Sequence, residues 1–369
     1  MKSERNDDLQ CLRAIAILLV IMQHYRSRLP TPDIYAKLFD HFAFWPGVDI
    51  FFAISGFLIC HSFLRDIHQT SSLREASITF WARRWGRLFP AVAFWSAASI
   101  CIAAFVPSSP NVDVGKVATG ALAAISGISN AYWVHCVQLG GLTCGNADLN
   151  GVTWSLSLEW QLYAVLTALI CLIGARWAVA TMLLAAAIMS LFPAPSFSVM
   201  WAFRPQAFAL GALAFLALRQ SDALPVLRLP RFIATVLLIA GVFVCITAPP
   251  HLPQPLVVPV IAAGALLCLL SGLSGSAYSG SAMLSPMIWI GERSYSIYLC
   301  HLPMLLVTRE IMVRTVGLAV DIPHVLVAVA VGGTLIATCG ELSFRFIEVP
   351  FQKTVRQALV RRRISRQSV

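Results

Sequence analysis

The sequence predicts an all-α polytopic membrane protein, with about ten transmembrane helices plus one short re-entrant or interfacial segment. Its 369 residues are 58% hydrophobic and only 12% charged, and the mean hydropathy is +0.76. A disordered chain would be charge-rich and apolar-poor, and a single soluble domain carries about twice this charged fraction. Apolar runs of spanning length, about 20 residues, recur from one end of the chain to the other, too many for one soluble core. The basic residues are also distributed unevenly between alternate loops.

The spans lie near residues 9–26, 44–63, 86–106, 153–174, 177–193, 200–218, 232–248, 256–273, 286–307 and 323–346. A weaker stretch, 117–133, is interrupted by Gly120, Gly127 and Asn130, which marks it as non-spanning. The first apolar stretch carries Arg13 and His24 and lacks a small-residue cleavage site, so it is expected to be a retained helix rather than a signal peptide. In this layout twenty of the 27 Lys and Arg residues fall on the N-terminal side, six on the other, and Arg204 inside a span. Basic loops stay cytoplasmic. Both termini are therefore expected in the cytoplasm, and the chain in the inner (cytoplasmic) membrane. A spanning 117–133 would invert every later loop and erase the asymmetry. Residues 1–350 are expected to form one transmembrane domain, and 351–369 a basic, lipid-facing cytoplasmic tail.

The net charge of +10 is thus mostly topology. It does not indicate a nucleic-acid partner, which would need a basic stripe on a folded soluble surface. Most of the ten cysteines lie in or beside apolar spans, where the residue behaves as a small hydrophobe. Cys136 and Cys144 share the outer loop 134–152 and are either free or joined, according to the redox state of that side. No CxxC, HxH or HExxH spacing points to a metal.

Ionisable groups inside spans are costly and mark functional sites. Arg13 and His24 sit eleven residues apart, about 16 Å along a helix and close to three full turns, so they share a face. Asp49 opens the second span at the depth of His24. It either orients that imidazole or caps the helix start after Pro46 and Gly47. Ser55 and Gly56 read as close-packing residues. Arg83, Arg84 and Arg87 cluster at an inner boundary, with Arg84 and Arg87 on one face. They form either a topological anchor or a phosphate site, since guanidinium forks suit phosphate. Glu159 lies in an apolar register near Ser155 and Tyr163, with Arg204 as its expected partner. Tyr295, Tyr298 and His301 stack at i, i+3, i+6 in the ninth span, and Glu341 and Arg345 form an i, i+4 pair. Nucleophile-elbow, phosphate-loop and dinucleotide motifs are absent from the sequence. His61 and Asp66 match an HxxxxD pattern of glycerolipid acyltransferases, but at an inner helix end and without supporting motifs; the match is read as coincidence.

Seven motifs follow in order: R-x10-H at Arg13 and His24, GVDIFFAISGF at 47–57, RRWGRLFP at 83–90, WSLSLEWQLY at 154–163, R-x3-F-x2-G at Arg204, Phe208 and Gly211, SYSIYLCHLP at 294–303 and IEVPF at 347–351. Together they resemble the acyltransferase-3 family of membrane O-acyltransferases, which acylate O-antigens, exopolysaccharides and Nod factors. The resemblance covers nearly the whole chain. Two features depart from the family: Cys300 stands where it often has Trp, and the SGNH esterase-like domain of its longer members is not read here.

The resemblance implies that Arg13 and His24 are an essential pair. It also implies that Arg84 and Arg87 form an RxxR motif linked to acyl-CoA on the cytoplasmic side, and that the acyl group passes to a sugar hydroxyl outside. Acetyl-CoA, or another short acyl-CoA, is then the donor, and the acceptor is a glycan or lipid-linked saccharide. His24 would act as general base or as an acylated nucleophile, with Asp49 or Glu159 balancing it, while Arg83, Tyr298 and His301 line the donor path. No metal is expected. A transporter or flippase for a lipid-linked glycan is the alternative, because polar residues along an intramembrane path fit that too.

Overall fold

A computed structural model of the chain describes residues 6–26, 28–70, 72–106, 112–138, 144, 149–275 and 284–367. Among the described residues every regular element is helical. Helix α1 (Asp7–Tyr25) begins where the Asn6 side chain accepts the Leu9 N–H at 3.1 Å, with Asp7 and Asp8 in its electropositive first turn. The short α2 (Asp33–Leu38) leads to α3 (Gly47–Gln69). Helix α4 (Leu73–Ala103) starts at a Ser72-x-x-Glu75 cap, the Ser72 hydroxyl accepting the Glu75 N–H. Its 31 residues span about 46 Å, more than the ~30 Å hydrocarbon core, so it extends well before the predicted 86–106.

Helices α5 (Val114–Ile125) and α6 (Ser129–Gln138) are too short to cross a bilayer and are separated by Gly127, whose φ of 71° suits glycine. They are the predicted non-spanning segment. Helix α7 (Thr153–Ile173) turns at Gly174 directly into α8 (Ala175–Met189). Next come α9 (Val199–Ala202) and α10 (Gln206–Leu218), with Arg204 at the break, then α11 (Arg231–His251) and α12 (Gln254–Gly272). Helix α13 (Ser285–Glu292) is separated at Arg293 from α14 (Ser294–Thr315). The predicted ninth span is therefore two helices, displaced toward the C-terminus. Helix α15 (Ile322–Ser343) passes through one π-helical turn, Phe344–Glu348, into α16 (Val349–Gln367).

Each predicted span falls on helix, 200–218 and 286–307 on two helices each. Among the described residues eight helices are long and apolar enough to cross a membrane. The two others are α1, which carries Asp7, Asp8 and Arg13, and α8, with 15 residues. Helix α16, which holds most of the expected tail, packs along α4, where Gly86 meets the Val355 side chain. Cys136 and Cys144 form a disulfide.

Helix α3 is central, touching α1, α4, α7, α10 and α12. Its crossing with α10 depends on two missing side chains. A Cβ on Gly56 would lie 2.0 Å from the Phe208 carbonyl oxygen, and one on Gly211 would lie 2.0 Å from that of Ala53. Small residues let helix backbones meet where lipid supplies no hydrophobic drive. Gly211→Ala is expected to cost about 1–3 kcal/mol, read as a lower melting temperature of the detergent-solubilised protein by tryptophan fluorescence.

Candidate functional site

The break between α9 and α10 puts Arg204 against the start of α3. Both Arg204 and Asp49 are 1% exposed and pair bidentately, Nε to Oδ1 at 2.9 Å and Nη2 to Oδ2 at 3.0 Å. Nη1 donates to the Trp201 carbonyl at 2.7 Å. The guanidinium carbon lies 4.4–5.8 Å from the ring centres of Trp45, Phe52, Trp154 and Trp201. Fork geometry, desolvation and the aromatic faces all hold this cation in place. Glu159 was expected to pair with Arg204, and Asp49 either to orient His24 or to cap the start of the second span. The bend at Pro205 turns Arg204 toward α3 instead, and the bidentate bond occupies Asp49.

Glu159 accepts hydrogen bonds from the hydroxyls of Ser55 and Tyr163. Ser55 therefore does more than permit packing. These groups line a cavity within the helices together with Arg13, Arg84, Arg87, Ser155, Tyr295 and Tyr298. Arg13 and Arg84 have no ion-pair partner among the described residues, and Arg87 approaches Glu348 only at 3.9 Å. Three guanidiniums thus share the cavity with one carboxylate. Tyr298 caps it, its hydroxyl 2.7 Å from Ser155 Oγ and donating to the Val152 carbonyl at 3.1 Å.

Arg84 and Arg87 also line a second, wider chamber of about 730 Å³. Its walls come from α3, α4 and α16 and carry Arg65, Arg83, Lys353, Arg356 and Arg362 against Asp66 and Glu75. Arg83 is ion-paired with Asp66. That bond separates Asp66 from His61, whose Nε2 faces the Asp222 carbonyl at 3.0 Å, so the HxxxxD spacing assembles no catalytic pair. Lys353 and Arg356 could be missed from sequence, because only the turn after α15 brings α16 beside α4.

His24 lies outside the cavity lining, half-buried at the end of α1. Its Nδ1 is 2.9 Å from Nε2 of His301, a fully buried residue one turn beyond Tyr298 on α14. His301 was expected on the donor path; the ring sits behind Tyr298 and touches His24 instead. The structure thus brings Arg13, Arg84, Arg87, Glu159 and Tyr298 together, with His24 and His301 adjoining them through Tyr298. Asp49 and Arg83 are held in ion pairs elsewhere. Among the described residues no group of three or more His, Cys, Asp or Glu side chains is placed to hold a metal ion.

Residues 6–340 match a family model described as an acyltransferase domain, acyltransferase-3. The chain is 30% identical to the peptidoglycan O-acetyltransferase OatA of Listeria monocytogenes, over 93% of this chain and 55% of that protein. It is 24% identical to the O-acetyltransferase OatA of Staphylococcus aureus, over 93% of this chain and 56% of that protein. The chain spans about half the length of these curated relatives. No solved structure matches it.

Asp49→Ala leaves Arg204 buried without its counter-charge, and is expected to cost about 3–5 kcal/mol. Adding Arg204→Met should restore at least about half of that loss. Melting temperatures of the single and double variants check the pair.

Proposed function

The chain belongs to the acyltransferase-3 family, and on that premise we propose that it is a multi-pass O-acyltransferase of the cytoplasmic membrane. It takes an acyl group, foremost acetyl, from cytoplasmic acetyl-CoA or another short acyl-CoA to a hydroxyl of an extracytoplasmic or lipid-linked glycan. The names of both relatives support the acetyl group, and the peptidoglycan in the name of the Listeria relative supports the glycan. The basic side, holding both termini, is the cytoplasmic one in this reading. The Cys136–Cys144 disulfide supports it, since the charge layout puts that loop on the opposite, oxidising side.

The carrying observation is that Arg84 and Arg87 line both the wide basic chamber and the narrower cavity within the helices. A polyanionic donor with a thin, largely uncharged arm matches those two spaces. Its phosphates bind in the chamber and at Arg84 and Arg87, and its pantetheine arm passes Arg13 toward Tyr298. Glu159, held by Ser55 and Tyr163, offsets part of the cavity's positive charge. At the outer end His24 is the general base. As the acceptor oxygen bonds to the thioester carbon, the hydroxyl proton passes to the imidazole. The C–S bond breaks with its electron pair leaving on sulfur, and the imidazolium returns the proton to the thiolate. Asp49 serves this site by holding α10 to α3, without touching the base.

Membranes containing the protein should transfer radiolabel from acetyl-CoA to glycan. Loss of the His24 base is expected to lower that rate about 10²–10⁴-fold in His24→Ala, with melting temperature unchanged. Glycan translocation without transfer would favour the transport reading instead. A charge-assisted hydrogen bond to phosphate is worth about 1.5–3 kcal/mol, so Arg84→Ala with Arg87→Ala is expected to weaken acetyl-CoA binding at least about tenfold by calorimetry. Unchanged affinity would move the phosphate site elsewhere. A green fluorescent reporter fused after Val369 should fluoresce, and an alkaline phosphatase reporter there should be inactive. The reverse result would invert the topology.

A further inference from the structure

The two histidines form a hydrogen-bond chain whose direction is set at its buried end. His301 Nδ1 lies 2.7 Å from the backbone oxygen of Tyr298. A carbonyl only accepts, so Nδ1 carries the proton. In a neutral ring, His301 Nε2 then presents a lone pair. His24 Nδ1 stands 2.9 Å from that lone pair, so it must donate, which leaves the lone pair of His24 on Nε2. Both rings are neutral in this arrangement. No carboxylate among the described residues bonds to either ring, and a cation in the fully buried His301 would go unanswered. Arg28, whose Nη1 donates to the His24 carbonyl at 2.9 Å, adds positive charge beside the pair.

The surroundings keep this direction. His301 is fully buried, between the Tyr298 ring at 5.6 Å and the His24 ring at 5.1 Å between centroids. Tyr298 is itself tied by its hydroxyl to Ser155 and Val152 on the neighbouring helix. His24 is only half-buried, and it meets His301 through Nδ1.

We propose that His301 is a positioning residue. It holds His24 as the Nδ1–H tautomer, so that Nε2 is the atom that accepts the acceptor hydroxyl's proton. The inference rests on the general-base reading of His24. When Nε2 takes the proton, His24 becomes an imidazolium whose Nδ1–H already points at His301 Nε2, so no ring has to turn. The proton then leaves Nε2 for the departing thiolate, and the tautomer is regenerated.

Ring-¹⁵N-histidine protein in lipid bilayers, studied by magic-angle-spinning NMR, tests the tautomer without any change at His301. The His24 signals are identified by their loss in His24→Asn. At neutral to mildly alkaline pH the native protein should show His24 protonated at Nδ1 and bare at Nε2, and a native His24 carrying its proton on Nε2 overturns the proposal. In His301→Leu the Nε2–H form should appear and kcat should fall about 100-fold, with KM for acetyl-CoA within about twofold of native. His301→Gln, whose amide oxygen can accept from Nδ1–H, should recover at least about tenfold of that loss. Equal impairment of the Gln and Leu variants, or native kcat in His301→Leu, overturns the positioning role. Full transfer by His24→Ala is a separate result that sinks the underlying reading, whichever tautomer the spectrum shows.

Discussion

A buried guanidinium with neither counter-charge nor acceptors is among the costliest things a membrane protein can contain, and Arg204 avoids that cost through Asp49. The bidentate bond joins the break before α10 to the first turn of α3, which touches five other helices. Gly56 and Gly211 then bring the two backbones together below it. With α3 placed, Ser55 is presented to Glu159 on α7, and the wall of the inner cavity follows.

The arginines divide into two kinds. Arg83, Arg204 and Arg293 are neutralised by Asp66, Asp49 and Glu341, and they hold elements together. Arg13, Arg84 and Arg87 converge on one cavity, where Arg87 meets Glu348 only at 3.9 Å and the one lining carboxylate, Glu159, is already bonded to two hydroxyls. Uncompensated positive charge in a low-dielectric cavity is suited to an anionic ligand, because each charge-assisted bond is stronger there than in water. His24 and His301 lie apart from that charge, hydrogen-bonded to each other behind Tyr298.

The positions of the spans were legible in the sequence because twenty consecutive apolar residues are a local property. So was the break at Gly127, which needs a positive φ. The pairing of Glu341 with Arg345 was legible too, being one helical turn apart. Arg13, Arg84, Arg87 and Glu159 stood out as ionisable groups in apolar registers, and the structure places them around one cavity. The partners did not stand out. Asp49 and Glu159 open spans at similar depth, and each is a plausible mate for Arg204. Only the rotation of α3, α7 and α10 about their axes decides between them. Nor did the contact of α16 with α4 stand out, since it joins helices far apart in sequence.

By itself the sequence determined a helical membrane protein with a short list of polar residues inside its apolar spans. Hydropathy, charge and helical period act along the chain, over one span or one turn. The tertiary structure alone decided which carboxylate holds Arg204, that two chambers share Arg84 and Arg87, and that His24 meets a second histidine 277 residues away. Those are contacts between helices distant in sequence. They depend on which faces pack together, and no local pattern encodes that.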